Sequence, residues 1–413
     1  MRGVRAGAAL LAAGLGTGLL VPAAAAAPAE DQVVCDRSVR DPGEAPAFQK
    51  PDDTLATTLR LADAHRISRG KGIGIAVVDS GVDTTTGMLD VRGGSSVPGV
   101  GSGRPEDGHG TIVAGLAAGD GRERGVLGVA PDAHVVPIRV LDADASTSSE
   151  GKPLTGDNLA AGIRAATALR DSQRVRVINL SLTLDGMSKP VADAIDAAIA
   201  EKILVVAAVG NRPNVSTDGG EAEQYEVGED AVRFPARHDG VLGVTGLDAA
   251  GDLDPSYVYT GPGTDVSAPA MHAMSVTVGG GTCLTGDPAS SWATAEVSGL
   301  AALLFARDPS QTPAQVATRI MATARGAVND SALDGHGMVQ PLEALTAELD
   351  IARDGTLRRT PAYAAPREEV SAPEPPRDIS EASRRTMLWW GIGAGGALLL
   401  GLLLRPLTAG RRG

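Results

Sequence analysis

Aromatic residues are scarce in this chain of 413 residues, of which Phe, Tyr and Trp together make up 2%. The hydrophobic content is nevertheless 43%, so a core must be built from Ala, Val, Leu and Ile. Basic residues are fewer than acidic ones, so the formal net charge at pH 7 is −13. Nucleic-acid surfaces use clustered basic residues to neutralise phosphates, and this balance therefore argues against nucleic acid as a partner.

Charged residues are absent from one long stretch near each end of the chain. Near the N-terminus, the uncharged stretch Ala6–Val21 follows Arg2 and Arg5 and precedes Pro22 and a run of alanines. A basic start, an apolar stretch and small residues are typical of a secretory signal peptide. We therefore predict a signal peptide over residues 1–27, and an uncleaved N-terminal membrane anchor is the alternative.

The second uncharged stretch, Met387–Leu404, has 18 residues, which is close to the lower limit for a membrane-spanning helix. We predict a transmembrane helix over residues 387–404 and a short cytoplasmic tail over residues 405–413, which contain three arginines. Export directed by the signal peptide then leaves the preceding domain outside the cytoplasm. The alternative is a C-terminal helix that is buried in the domain.

Apolar β-branched runs alternate with Ala-rich segments in the central part of the chain. Such runs are typical of strands that are buried on both faces of a parallel sheet. With helices between the strands, they predict an α/β fold of three layers, with a mainly parallel central sheet and right-handed crossovers. The predicted strands are Ile73–Val78, Val135–Leu141, Val175–Leu182, Ile203–Val209 and Val241–Val244, and the predicted helices are Asp157–Arg170 and Val191–Lys202.

This pattern predicts an N-terminal extension over residues 28–70, a large domain over 71–348 and a Pro-rich linker over 349–386. The two cysteines, Cys35 and Cys283, fall in the extension and in the large domain. In an exported protein an even pair favours one disulfide, and two free thiols are the alternative. No Asp-rich loop has the ligand spacing of a calcium site, so neither a metal nor another cofactor is predicted.

Two polar residues stand where parallel sheets form binding crevices or where the backbone can approach other groups closely. Asp79 ends the first predicted strand, at the edge of the sheet where crevices form, although a turn cap would use the same residue. His109 lies between two glycines, which permit close approach of the backbone. For His109 the alternative is a structural histidine.

Two further residues complete a candidate constellation. Asn211 follows the predicted strand Ile203–Val209, and its amide can donate to a developing oxyanion, although a turn would also use Asn. Ser291 begins an Ala- and Leu-rich helical segment, where backbone N–H groups can face a carbonyl oxygen, although an ordinary N-cap is the alternative. A serine nucleophile, a histidine base, an aspartate that orients the base and an amide donor together serve acyl transfer.

The chain order Asp79, His109, Ser291 resembles the catalytic triad of the subtilisin family. The segment Asn179–Leu182 looks like the family strand that pairs with bound peptide, and Thr264–Pro269 resembles the segment upstream of the nucleophile. The resemblance covers about residues 72–348.

The resemblance implies a subtilisin-like fold and serine endopeptidase activity on protein or peptide substrates. It also implies an oxyanion role for Asn211 and peptide contacts at Ser181 and Leu182. Ser267 lies in the upstream segment, outside the nucleophile motif.

Within the subtilisins, the segment His109–Gly115 resembles the mycosins, because Ile112 stands where many secreted subtilisins have His. The order of signal peptide, short extension, protease domain, Pro-rich linker, single helix and tail is also similar to theirs. This resemblance implies a protease that one C-terminal helix anchors in the cell membrane, with its catalytic domain extracytoplasmic. It further implies the membrane complex of a type VII secretion system as a partner.

Three positions depart from the family pattern. The nucleophile motif is usually Gly-Thr-Ser with Pro four residues later, whereas this chain has Ala289 before Ser290 and Ser291, and Ala295 at the Pro position. Thr183 stands where many subtilisins have Gly. Two functions therefore stay open: an active endopeptidase, or a catalytically weak or inactive scaffold that stabilises the secretion complex.

Overall fold

The computed structural model describes residues 33–37, 39, 54–122, 126–142, 152–212, 232–326, 331–358 and 381–408. The predicted signal peptide lies outside the described residues. The chain divides into two compact units between Arg358 and Arg359.

Strands and helices alternate through the first unit. Its strands are β1 (Gly74–Asp79), β2 (Ser95–Ser96), β3 (His134–Arg139), β4 (Val175–Leu180), β5 (Leu204–Ala208), β6 (Val241–Leu247), β7 (Val266–Pro269), β8 (Met274–Val276), β9 (Thr282–Leu284), β10 (Asp350–Ile351) and β11 (Leu357–Arg358). Its helices are α1 (Thr54–Thr58), α2 (Leu61–Ala64), α3 (His109–Ala118), α4 (Gly156–Ala168), α5 (Lys189–Ala200), α6 (Ser290–Arg307), α7 (Pro313–Thr323) and α8 (Pro341–Thr346). The second unit contains α9 (Glu381–Thr408).

Seven strands form one parallel sheet in the order β2-β3-β1-β4-β5-β6-β7. Successive side chains of a strand point to opposite faces, so a strand that is apolar throughout contributes to two cores. Along β1, Ile75 and Val77 belong to the core on one face, and Ala76 and Val78 belong to the core on the other. This arrangement explains why the predicted strands are continuous apolar runs.

Helices cover both faces of the sheet. The core that contains Val78 includes Leu159 of α4 and Ile195 of α5, and the core that contains Val77 includes Ile112 of α3 and Leu300 of α6. All residues of α3 are buried, as expected for a helix that is apolar on every side. The predicted α/β fold with a mainly parallel sheet between two helical layers is confirmed.

The five predicted strands correspond to β1, β3, β4, β5 and β6, with ends that differ by up to three residues. The predicted helices correspond to α4 and α5. The sequence does not predict β2 or β7, because β2 has two residues and β7 ends in Pro269, so neither forms a long β-branched run. Their pairing depends on neighbouring strands that are distant in the chain.

The order of the sheet reverses at β1, which has β3 on one side and β4 on the other. Crevices in parallel sheets form at the carboxyl ends of strands at such a reversal. Asp79 is the last residue of β1, and Ser181 directly follows β4. The sheet therefore places these two residues at one edge.

The predicted linker of residues 349–386 is folded at its start, because β10 and β11 form a hairpin. The side chain of Gln315 donates to the carbonyl of Ile351 at 2.8 Å, and Thr318 donates to the carbonyl of Gly355 at 2.8 Å. These hydrogen bonds from α7 hold a segment whose local composition has little apolar character. Residues 359–380 lie outside the described residues.

The second unit contains one long apolar span. Within α9, the 21 residues of Ser383–Leu403 have a mean hydropathy of 1.6 and are long and apolar enough to cross a membrane. The predicted stretch Met387–Leu404 lies inside α9. The end of the predicted tail, residues 409–413, lies outside the described residues.

Candidate active site

The side chain of His109 is paired with Asp79. Nδ1 of His109 lies 2.9 Å from Oδ1 and 3.0 Å from Oδ2 of Asp79, which is fully buried. The backbone N–H of Ser80 donates to Oδ1 of Asp79 at 2.7 Å. A carboxylate held in this way keeps the proton on Nδ1 and leaves Nε2 as the basic nitrogen.

Two residues outside α3, Asp107 and Ser80, hold the backbone at the start of this helix, which begins at His109. The N–H of His109 donates to Oδ1 of Asp107 at 2.8 Å, and the N–H of Gly110 donates to the hydroxyl of Ser80 at 3.1 Å. The same hydroxyl donates to the carbonyl of Asp107 at 3.1 Å. These bonds satisfy N–H groups that a helix start would otherwise leave unpaired, and they join α3 to the end of β1.

Ser291 is the second residue of α6 and is 9% exposed. Its hydroxyl donates to the carbonyl of Ser181 at 3.1 Å, while the hydroxyl of Ser181 donates to the carbonyl of Ser291 at 2.8 Å. Among the residues that the structure describes, Nε2 of His109 has no hydrogen-bond partner. Bonds between a nucleophile and its base are often not formed without substrate.

Asn211 is held by the residue that precedes Ser291. Its Oδ1 accepts from the N–H of Ser290 and from the hydroxyl of Ser290, both at 2.9 Å. With Oδ1 engaged, Nδ2 is the remaining hydrogen-bonding group of the amide, and it has no acceptor within the described part of the chain. An N–H donor beside the N-terminus of α6 suits a developing negative charge.

These residues line one cleft of ≈ 600 Å³. His109, Ser291 and Asn211 lie along it, and Ser181 and Leu182, with the neighbouring Thr183, contribute to its wall. The structure thus brings together the site residues predicted from the sequence, with Asp79 buried behind His109.

Sequence reasoning missed Trp292, whose ring lies 5.1 Å from the ring of His109 between centroids. The indole Nε1 donates to Oδ1 of Asp287 at 2.7 Å, and the hydroxyl of Tyr257 donates to Oδ2. Burial raises the pKa of Tyr257, and the hydrogen bond to Asp287 raises it further. This chain of contacts holds the indole of Trp292 beside the imidazole of His109.

The amino-acid composition could have identified Trp292 as a candidate site residue. The chain has three tryptophans, and the other two, Trp389 and Trp390, lie in the predicted membrane helix. A single tryptophan in a domain with so few aromatic residues, directly after a candidate nucleophile, indicates a local packing role.

The departures in the nucleophile motif fit the backbone without strain. Ala289 has φ −68° and ψ 132°, which any L-residue adopts, and its side chain is buried. Ala295 is fully buried inside α6, which continues as a regular helix to Arg307. The close approach is instead at Gly246, where a Cβ atom would lie 2.3 Å from the carbonyl oxygen of Pro288.

Cys35 and Cys283 form a disulfide, which spans a sequence separation of 248 residues. Val33 and Cys35 pair with Leu284: the N–H of Cys35 donates to the carbonyl of Leu284 at 2.7 Å, and the N–H of Leu284 donates to the carbonyl of Val33 at 2.9 Å. The predicted bridge between the extension and the large domain is therefore confirmed.

The chain is similar to known proteases over most of its length. The family described as "Subtilase family" matches residues 70–338. Mycosin-1 of Mycobacterium tuberculosis is 34% identical over 78% of this chain and 78% of its own length. Subtilisin BL of Lederbergia lenta is 33% identical over 65% of this chain and 89% of its own length.

Solved structures lead to the same group of proteins. The MycP3 protease of a type VII (ESX-3) secretion system is 31% identical, with a TM-score of 0.60, over 77% of this chain and 93% of that one. The serine protease MycP1, described as an essential component of the type VII (ESX-1) secretion system, is 27% identical, also with a TM-score of 0.60, over 77% of this chain and 94% of that one. The predicted subtilisin-like fold is confirmed.

Proposed function

Because the chain belongs to the subtilase family of serine proteases, and within it to the mycosins, we propose that Asp79, His109 and Ser291 form the catalytic triad that hydrolyses peptide bonds. The observation that supports this most directly is the pairing of His109 Nδ1 with both carboxylate oxygens of Asp79, beside a cleft that Ser291 also lines.

The reaction follows from this arrangement. Oγ of Ser291 attacks the carbonyl carbon of the substrate while its proton passes to Nε2 of His109, and Asp79 stabilises the imidazolium that forms. Nδ2 of Asn211 donates to the oxyanion of the tetrahedral intermediate. Collapse of the intermediate breaks the C–N bond, and the imidazolium gives its proton to the departing amine. Water, activated by His109, then hydrolyses the acyl-enzyme and restores the Ser291 hydroxyl.

Ser181 and Leu182 serve as the peptide-binding wall in this proposal. Both follow β4 and line the cleft next to Ser291. An extended substrate can pair with backbone groups that project beyond the end of a strand, which provides affinity that does not depend on the substrate side chains. The neighbouring Thr183 adds a side chain to the wall and narrows the space for the substrate residue before the scissile bond.

Anchoring and secretion form the second half of the proposal. The signal peptide exports the protease domain, α9 crosses the membrane, and the domain acts on the extracytoplasmic side. The span Ser383–Leu403 has the length and hydropathy that this topology needs. Because the similar MycP3 and MycP1 proteases are described as parts of type VII secretion systems, we propose that this chain acts with the membrane complex of such a system and cleaves protein or peptide substrates.

A fluorophosphonate probe tests the triad on the full-length chain in detergent micelles. We expect the wild-type chain to be labelled on Ser291 and Ser291→Ala to be unlabelled. Ser267→Ala is the matched control, because Ser267 is fully buried outside the cleft, and it should be labelled like the wild type. Absence of labelling in the wild type, or equal labelling of Ser291→Ala, would contradict the proposal.

One observation favours the scaffold as a second candidate. The Ser291 hydroxyl donates to the carbonyl of Ser181 and not to His109, so the described arrangement contains no hydrogen bond between the proposed nucleophile and its base. If the chain acts only as a scaffold, Ser291→Ala supports secretion as well as the wild type does in a strain that lacks the chromosomal copy. If the variant abolishes secretion while the membrane complex still assembles, the scaffold function is excluded.

A further inference from the structure

Residues 33–37 of the N-terminal extension, here called the clamp segment, contact both parts of the chain that bear the proposed base and nucleophile. One contact is with the turn before α3, which begins at His109. The other is with β9, which leads towards α6 and Ser291. The two contacts use different groups of the clamp segment.

On the side of the base, Arg37 meets the turn through its backbone and its side chain. Its carbonyl accepts from the N–H of Gly108 at 2.8 Å. Its guanidinium binds both carboxylate oxygens of Asp107: Nε lies 3.0 Å from Oδ1, and Nη2 lies 2.6 Å from Oδ2. A Cβ atom at Gly108 would lie 3.2 Å from the carbonyl oxygen of Arg37, so a residue without a side chain suits this position.

Asp107 links Arg37 to the proposed base. The same Oδ1 that Arg37 binds also accepts the backbone N–H of His109 at 2.8 Å. The Asp107 side chain is 1% exposed, whereas that of Arg37 is 25% exposed and lines the cleft. A buried carboxylate needs a charged partner, and loss of that partner leaves an uncompensated charge. Arg37 therefore supplies a charged partner to Asp107, which lies buried against the start of α3.

On the side of the nucleophile, the clamp segment is attached covalently. Cys35 forms the disulfide with Cys283 of β9, and the backbone of Val33 and Cys35 pairs with Leu284. This attachment fixes the position from which Arg37, two residues further on, reaches Asp107. Without it, ordering of Arg37 would have to be driven by its own contacts alone.

We propose that Arg37 is a positioning residue for the protease reaction, which acts on His109 through Asp107 and is held in place by the Cys35–Cys283 disulfide. The proposal rests on the function proposed above, because it needs His109 to be the base. It gives the N-terminal extension a part in the active site. Arg37 itself touches neither the imidazole nor the reacting serine in the described contacts.

The test measures labelling of the full-length chain by a fluorophosphonate probe in detergent micelles, as a maximal rate and a half-saturating concentration. We expect Arg37→Met to lower the maximal rate about ten- to hundredfold, with little change in half-saturation, because a displaced base slows proton transfer and not probe binding. Arg92→Met is the matched control, since Arg92 forms an exposed pair with Asp90, and its rate should equal that of the wild type.

A second variant separates positioning from simple loss of folding. In Arg37→Met/Asp107→Asn no charge is left buried, and the Asn side chain can still accept the N–H of His109. We expect this double variant to regain a maximal rate within about threefold of the wild type. If Arg37→Met fails to fold, the maximal labelling rate of the double variant tests the inference by itself. A folded double variant that is labelled much more slowly than the wild type contradicts the inference.

Three other outcomes would contradict the inference or the proposed function. If the wild type is labelled and Arg37→Met is labelled equally fast or faster, the inference is wrong while the proposed function stands; a faster rate would mean that Arg37 obstructs the cleft. If Arg37→Met is slow and the double variant is equally slow, Arg37 does not act through Asp107. If the wild type is not labelled at all, the proposed function fails, and this inference fails with it.

Discussion

Single side chains at this site have one polar atom engaged by the fold and another left for the proposed reaction. Asn211 accepts from Ser290 through Oδ1 and keeps Nδ2 for the cleft. His109 uses Nδ1 on Asp79 and keeps Nε2. In both cases the engaged atom sets the direction of the other, so the geometry exists before substrate binds.

The amide of Asn211 can be tested without disturbing its contact with Ser290. Asn211→Asp keeps an oxygen that accepts from Ser290 and replaces the Nδ2 donor by a second oxygen. We expect kcat to fall by at least about 10²–10³-fold with a small change in KM, since removal of one such donor has an effect of this size, a value known from a subtilisin. Steady-state kinetics on a peptide substrate measure the effect.

Ser290→Ala is the control for that measurement. It removes the hydroxyl that donates to Asn211, while the backbone N–H of residue 290 still donates. We expect a smaller loss in kcat than for Asn211→Asp. Equal losses for the two variants would show that the orientation of Asn211, and not its donor, dominates.

At the scale of elements, α6 is unusual because it contains a buried carboxyl group. Glu296 is fully buried, and neither of its carboxyl oxygens has a hydrogen-bond partner among the described residues. Burial raises the pKa of Glu296 well above its ordinary value, so the group is protonated in the folded chain under conditions where an exposed Glu is ionised.

This burial predicts a stability that depends on pH. Above the ordinary Glu pKa of 4.5, the unfolded chain releases the proton and the folded chain keeps it, so the free energy of unfolding falls as pH rises. The slope for one such group is about 1.4 kcal/mol per pH unit until the raised pKa is reached. Glu296→Gln has no proton to lose, and we expect its stability advantage over the wild type to grow from pH 4.5 upwards.

Denaturant unfolding at a series of pH values measures this difference. Glu348→Gln serves as the control, because Glu348 is exposed, and its curve should run parallel to that of the wild type. A constant difference between Glu296→Gln and the wild type from pH 4 to pH 8 would mean that Glu296 is ionised in the folded chain.

At the scale of the whole molecule, the disulfide joins the extension to β9 across 248 residues of chain. A crosslink over so long a loop restricts the unfolded chain, and the entropy treatment gives about 5 kcal/mol as an upper bound. We expect Cys35→Ser/Cys283→Ser to unfold at lower denaturant concentration by up to that free energy. Reduction of the wild type by dithiothreitol should reproduce the shift and should leave the double variant unchanged.

The elements that sequence predicts well are those whose signal lies within a few residues. The apolar β-branched runs of β1, β3, β4, β5 and β6 are continuous because both faces of the sheet are buried. β2 and β7 have no such run, and their existence depends on partners elsewhere in the chain. Similarly, a few neighbouring residues are enough to single out Asp79, which ends a strand, and His109, which lies between two glycines.

The sequence by itself determined the α/β class, the long apolar span at the C-terminal end and the identities of the polar groups proposed for catalysis. Only the tertiary structure decided that the start of α6 faces the start of α3, that Trp292 covers His109, and that Arg37 reaches Asp107. The physical reason is the distance along the chain over which each effect acts. Propensity and periodicity depend on near neighbours, whereas these contacts join residues that come together only when the sheet and its two helical layers pack.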